Sequence, residues 1–151
     1  MLLVQLDVWV FQDDLEYFLN KFDQYDYDYV GAPWYGVWFC EDGEVGNGGF
    51  CIRRLEKFRD ICKRYPNAYG NEDIFFCRSH RGELNMAPEG LALQFSFEEK
   101  PLHAFRKNEC RLPMGTHAYA STPDRLGFWT HFIPDVRGIK AKPGDPDIYN
   151  P

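Results

Sequence analysis

A few groups of residues in this chain have the types and spacing to do chemistry. The first is Asp7, the lone charged residue in the apolar run MLLVQLDVWVF. A carboxylate buried unpaired in such a run is costly. It is tolerable beside a metal, or at the C-terminal end of a strand, where α/β proteins bind ligands. A turn cap or an arginine partner is the structural alternative. The second is Asn71-Glu72-Asp73, ahead of Ile-Phe-Phe. Two acids at a helix start complement its dipole. In the functional reading, one of them points into a site as a general base while backbone N–H groups hold the other. A base of that kind needs a carboxylate within about 2.6–3.2 Å of the attacking hydroxyl.

The third is VGNGGF, Val45 to Phe50. Glycines at 46, 48 and 49, around Asn47, let a backbone come close to a ligand, or form a tight turn entering a strand. The segment lacks the frame of a dinucleotide fingerprint or a P-loop. The fourth is His117 in PMGTHAYA, whose neutral imidazole suits a metal. A hydrogen-bonded core histidine is the plainer alternative, and His103 competes for the role. Trp34, Tyr35, Trp38 and Phe39 flank a loop, where their rings either stack on sugars or pack a core.

The elements that must position these groups follow from periodicity. Residues 1–11 predict one buried central strand of an α/β sheet. Leu15, Phe18, Leu19 and Phe22 make one helical face, started by Asp13 or Asp14. DQYDYDYVGAPW predicts a turn, a short strand and a break at Gly31-Ala-Pro33. Residues 35–49 read as loop, and FCIRR at 50–54 as a short strand. Leu55, Phe58, Ile61, Cys62 and Tyr65 predict a second helix stopped by Pro66. Asn71 would cap a third, NEDIFFCRSHRG, and Pro88 would open a fourth. After a charged loop, RLPMGTHAYA predicts a late strand. The stretch from 134 to 151 reads as a tail on a single domain spanning 1–133. This order describes a mixed α/β domain.

The bulk numbers narrow the function classes. The chain has 151 residues, enough for one sizeable core, and its 17% aromatic share argues for a packed domain. With 17 basic and 23 acidic residues the formal charge is −6, which disfavours nucleic acid as a partner. A divalent cation would still allow a phosphate-bearing ligand. The five cysteines form no CxxC pair, so a structural zinc site is not expected. Cys51, Cys62 and Cys77 sit among apolar residues and read as small core hydrophobes. This usage favours a reducing, cytoplasmic compartment; a secretory lumen is the alternative if an upstream segment exists. No apolar run approaches the roughly 18 residues of a membrane span. Oligomeric state is not legible.

YDYVGAPW at 27–34, VGNGGFCIRR at 45–54, NEDIFFCR at 71–78, FSFE at 95–98 and PMGTHAY at 113–119 stand in a telling order. Together they resemble a family whose domain is assigned, by similarity, to GT-A-type glycosyltransferases. Its pattern reads QTD, YDYIGAPW, VGNGGFSLR, EDVFF, FSVE and PFGFH. The likeness covers about residues 3–120. It implies a GT-A-like, Rossmann-like mixed sheet with flanking helices. Because GT-A folds hold the nucleotide in a preceding βαβαβ portion, it also implies that this chain is the C-terminal half.

The resemblance further implies site roles. Gln5-Leu6-Asp7 stands where the family has QTD, so Asp7 would bind a divalent metal, Mn²⁺ or Mg²⁺. Asp7-Val8-Trp9 has no second aspartate, so His117 would complete the shell. Gly46, Asn47, Gly48, Gly49 and Trp34 would line the donor or acceptor. Asp73, with Glu72 second, would be the catalytic base. The implied reaction transfers a sugar from a nucleotide-sugar donor to a carbohydrate or other hydroxyl acceptor, with inversion. Two other readings remain: a non-catalytic carbohydrate-binding or scaffold module of the same fold, and a metal-dependent hydrolase using Asp7, Asp73 and His117.

Overall fold

The computed structural model describes residues 1–67, 70–118 and 121–133. The expected tail, 134–151, lies outside them. The architecture is mixed α/β, as the periodicity predicts, but it is organised around two small sheets. Strands β1 (Leu2–Val4), β4 (Val45–Arg53) and β3 (Tyr29–Pro33) form one antiparallel sheet in the order β1-β4-β3. Strands β2 (Val8–Val10), β6 (Gly115–His117) and β5 (Ser96–Phe97) form the other, in the order β2-β6-β5. The β5–β6 pair is parallel, and the β2–β6 pair is antiparallel.

The first correction concerns residues 1–11. They are not one central strand but two edge strands in different sheets, joined by a turn at Leu6-Asp7. Leu6 is fully exposed, and Val4 and Val10 are exposed too. Apolar periodicity alone does not reveal a turn when its residues include leucine.

The second correction concerns the glycine segment. Residues 45–49 are not loop; they open β4, a nine-residue strand buried throughout. Likewise β3 runs straight through Gly31-Ala32-Pro33, with no break there. Tertiary burial overrides the weak strand propensity of glycine and proline here. Beneath β3 and β4 on one face lie α2 (Leu55–Arg64) and the segment from residue 72. Tyr29, Val45, Cys51, Phe58, Ile61, Phe76 and Cys77 pack together there. On the other face, α1 (Leu15–Gln24) and α4 (Glu89–Phe95) bring Phe18, Phe22 and Phe95 against Val30, Phe50 and Ile52. Each such side chain contributes about 1.5–3 kcal/mol by burial, so this double-sided packing holds β4 in place.

The helices also differ from expectation in detail. The third is broken: α3 (Glu72–Ile74) passes into a π-helical turn, Phe75–Ser79, and a 3₁₀ turn, Arg81–Glu83. The wider turn lets Phe76 and Cys77 reach the core while Glu72 and Asp73 stay at its edge. The expected charged loop contains α5 (Pro101–Lys107), and α6 (Pro123–Trp129) follows β6. Cys62 is exposed rather than buried, because only Phe58 and Ile61 of α2 turn fully inward; Cys51 and Cys77 are buried as expected. All five cysteines are free thiols.

Candidate functional site

The site is built where β4 bulges. Gly31 of β3 pairs with Cys51, but the next residue, Ala32, pairs with Asn47. Gly48, Gly49 and Phe50 are therefore extra residues on β4, and such bulges redirect side chains beside active sites. The buried Tyr29 hydroxyl fastens the bulge by donating to the Asn47 carbonyl at 2.6 Å. From the opposite side, the Gln5 N–H donates to the Gly49 carbonyl at 3.0 Å, just before β1 gives way to the Leu6-Asp7 turn.

The two glycines of the bulge each touch a functional side chain. A Cβ on Gly49 would land on the imidazole of His117, and one on Gly48 would meet the Glu72 carboxylate, Arg53 Nη2 at 2.7 Å and Asp73 Cβ at 3.3 Å. Glycine is required here because the backbone itself is the floor on which these groups rest. Gly46 plays the same part beneath Trp34 and Cys77. Trp34 is only 2% exposed, so its ring is core packing in this structure, with no face open for a sugar. Asn47 is buried with the glycines.

On one side of the bulge, Asp7 and His117 do come together. His117 Nε2 lies 3.3 Å from Asp7 Oδ1, and Nδ1 lies 2.6 Å from Glu98 Oε2. Glu98 is nearly buried, within 3.7 Å of Arg125 Nη1, and Arg125 in turn pairs with Glu99. Burial pulls the His117 pKa down, but the Glu98 hydrogen bond and charge, helped by Asp7, outweigh it and raise the value above 6.5. The two flanking carboxylates thus favour the protonated form of the His117 ring. Sequence reading overlooked Glu98, although it closes the FSFE motif. A buried-strand pattern ending in an acid was the available signal.

On the other side, Glu72 and Asp73 separate into two roles. Glu72 Oε1 accepts from Arg53 Nη2 at 2.8 Å. Arg53 is itself buried over the rings of Tyr29, Phe58 and Phe76. Asp73 Oδ1 accepts from the Ile74 N–H at 2.8 Å, and the residue's own backbone N–H also bonds its carboxylate. Burial raises the Asp73 pKa; the Ile74 bond opposes this, and the charges of Glu72 and Glu98 add to it. That Glu98 is felt at Asp73 places both halves of the site within electrostatic reach. Asn71 occupies the helix N-cap position without a side-chain capping bond.

The donor set bears on the implied metal. Among the described residues, no group of three or more His, Cys, Asp or Glu side chains is arranged to hold an ion. Mg²⁺ and similar hard cations use one or two protein carboxylates and complete their shell with water and substrate phosphate. Asp7 with His117 Nε2 fits that sparser scheme. Glu98 on Nδ1 fits the carboxylate that orients a ligating imidazole.

No helix among the described residues is long and apolar enough to cross a membrane. Clefts of about 560 and 670 Å³ lie beside α1 and between α5 and α6, the second sharing Arg125 with the Glu98 side of this centre. In comparison with known proteins, residues 1–117 match the family described as "Protein of unknown function (DUF5672)". No curated protein and no solved structure matches the chain.

Proposed function

The chain belongs to that family of unknown function, and from this premise we propose that it takes part in metal-assisted transfer of a sugar from a nucleotide donor to an acceptor hydroxyl. The observation that carries the reading is Asp73: a half-buried acid held by backbone N–H groups, with no ion-pair partner among the described residues and a raised pKa. Those are the properties of a general base, whose proton affinity must approach that of its task. The GT-A resemblance supplies the reaction class.

In this mechanism the Asp73 carboxylate takes the proton of the acceptor hydroxyl. The freed oxygen forms a bond to the anomeric carbon. The bond from that carbon to the donor phosphate oxygen breaks, and its electron pair departs with the nucleoside diphosphate. Asp7 and His117 would hold the divalent cation, which when bound neutralises charge on the leaving diphosphate. Glu98 keeps Nε2 of His117 turned toward Asp7. Arg53 holds Glu72 aside, so that Asp73 alone serves as base. A base on the face opposite the leaving group gives inversion.

The test is donor turnover with a panel of nucleotide sugars and hydroxyl acceptors, with and without Mn²⁺. Loss of turnover is expected in Asp73→Asn and in Asp7→Asn. Unchanged rates in either variant would remove that residue's role. A product whose anomeric configuration is retained, read by NMR, would rule out the inverting step.

A further inference from the structure

Next to the Asp7–His117 centre, α5 and α6 flank an open cleft of about 670 Å³. That volume is typical of small-molecule sites. Each helix region turns one stripe of residues at i, i+3 and i+6 into it. Lys100, His103 and Arg106 come from α5 and its entry; Arg125, Phe128 and His131 come from α6 and its exit. Five of these six are cationic or imidazole side chains, gathered on one cleft of a chain whose formal charge is −6.

The lining carries three cations, Lys100, Arg106 and Arg125, against two carboxylates, Glu99 and Asp124. Glu99 is taken by Arg125, which also lies 3.7 Å from Glu98. Asp124 lines the cleft as well, yet Lys100 and Arg106 form no ion pair among the described residues. Two cations without an ion pair among the described residues, beside two imidazoles and one further carboxylate, leave this concave, partly apolar space with a positive excess. Lys100 is also fixed in an unusual way. Its φ of 43° is left-handed, a conformation costing a non-glycine residue about 1 kcal/mol or more. Its side chain lies over Gly36, where any Cβ would collide with Nζ and Cε.

We propose that the α5–α6 cleft binds a small acidic molecule bearing phosphate or carboxylate groups, with Lys100 and Arg106 as its cationic contacts and Phe128 as its apolar wall. The inference goes beyond the transfer reaction, because binding here requires no turnover. Arg125 gives the occupant a neighbour that also faces Glu98, and so places it beside the His117 centre.

Calorimetry on the whole chain tests this, with inorganic pyrophosphate and glucuronate as probes and glucose as the neutral control. Saturable binding of at least one anion is expected, weakening as salt rises, with none of glucose. Kd should rise about tenfold or more in Lys100→Ala/Arg106→Ala. It should stay put in Lys57→Ala/Lys63→Ala, a matched pair of exposed lysines on α2. Both double variants change exposed residues, and far-UV circular dichroism checks that they fold. The ring signals of His103 and His131 should shift in NMR as the anion is added. Binding of pyrophosphate alone would assign a phosphorylated ligand, and of glucuronate alone a carboxylated one. If neither anion saturates, or the Lys100/Arg106 variant binds as tightly as the parent chain, the proposal is overturned.

Discussion

Glu72 and Asp73 are adjacent acids of nearly the same chemistry, and their neutral amides should nonetheless behave oppositely. In Glu72→Gln the guanidinium of Arg53 loses its carboxylate partner. Arg53 has a side chain 6% exposed, and its Nη2 sits 2.8 Å from Glu72 Oε1. Breaking a fully buried pair costs about 3–5 kcal/mol, because a charge is left without a counterion. A fully exposed pair contributes about 0–1 kcal/mol. The Glu72 side chain is 47% exposed, so water replaces part of what is lost. The amide also keeps an oxygen for Arg53 to donate to. The expected loss is therefore about 1–2 kcal/mol, or a Tm fall of roughly 3–8 °C for a domain of this size.

Asp73→Asn should not destabilise the fold at neutral pH. Burial raises the Asp73 pKa in the folded chain, so its contribution is favourable at low pH and lost as pH rises through the folded value. Above that value the ionised acid is a cost that asparagine removes. Asp73→Asn should thus melt at or above the parent temperature at pH 7, with the gap closing toward pH 3. Urea titrations followed by tryptophan fluorescence would measure both, since Trp34 and Trp129 are buried reporters. Equal stability of Glu72→Gln and parent would refute the idea that Glu72 is committed to Arg53. A destabilised Asp73→Asn would refute the view that Asp73 is held at a cost for function.

Gly49→Ala should displace the His117 ring that its Cβ would strike, costing about 1–3 kcal/mol and weakening Mn²⁺ binding, as followed by melting and electron paramagnetic resonance. Tyr29→Phe should cost about 1–2 kcal/mol in urea titration by leaving the buried Asn47 carbonyl without its donor. In metal-free protein the His117 ring should titrate above 6.5 by NMR, and Glu98→Gln should lower that midpoint. Because that value is raised, the His117 charge stabilises the fold fully below the unfolded pKa, and the benefit fades as pH climbs through the folded one. His117→Gln should therefore cost most stability at pH 5–6 and least at high pH, and a flat difference across that range would discard the ion-pair assignment.

The mixed α/β class and the amphipathic faces of α1 and α2 were legible in the residues, and the pairing of Asp7 with His117 was implied by the family resemblance. Amphipathic periodicity is a local signal, and a helix face of Phe18 and Phe22 needs only something apolar to lie against. The likeness to a family likewise rests on short motifs whose order survives in one dimension. Tertiary structure alone decided the rest. It split residues 1–11 between two sheets, because a turn at Leu6-Asp7 is recognisable only from the strands that pair on either side. It drew the GNGGF segment into a buried strand, since the surrounding aromatics cover glycines that have no strand preference of their own. It also gave neighbouring acids different duties. No local pattern distinguishes Glu72 from Asp73; what does is a buried arginine from β4, 19 positions away in sequence, that captures one carboxylate and not the other.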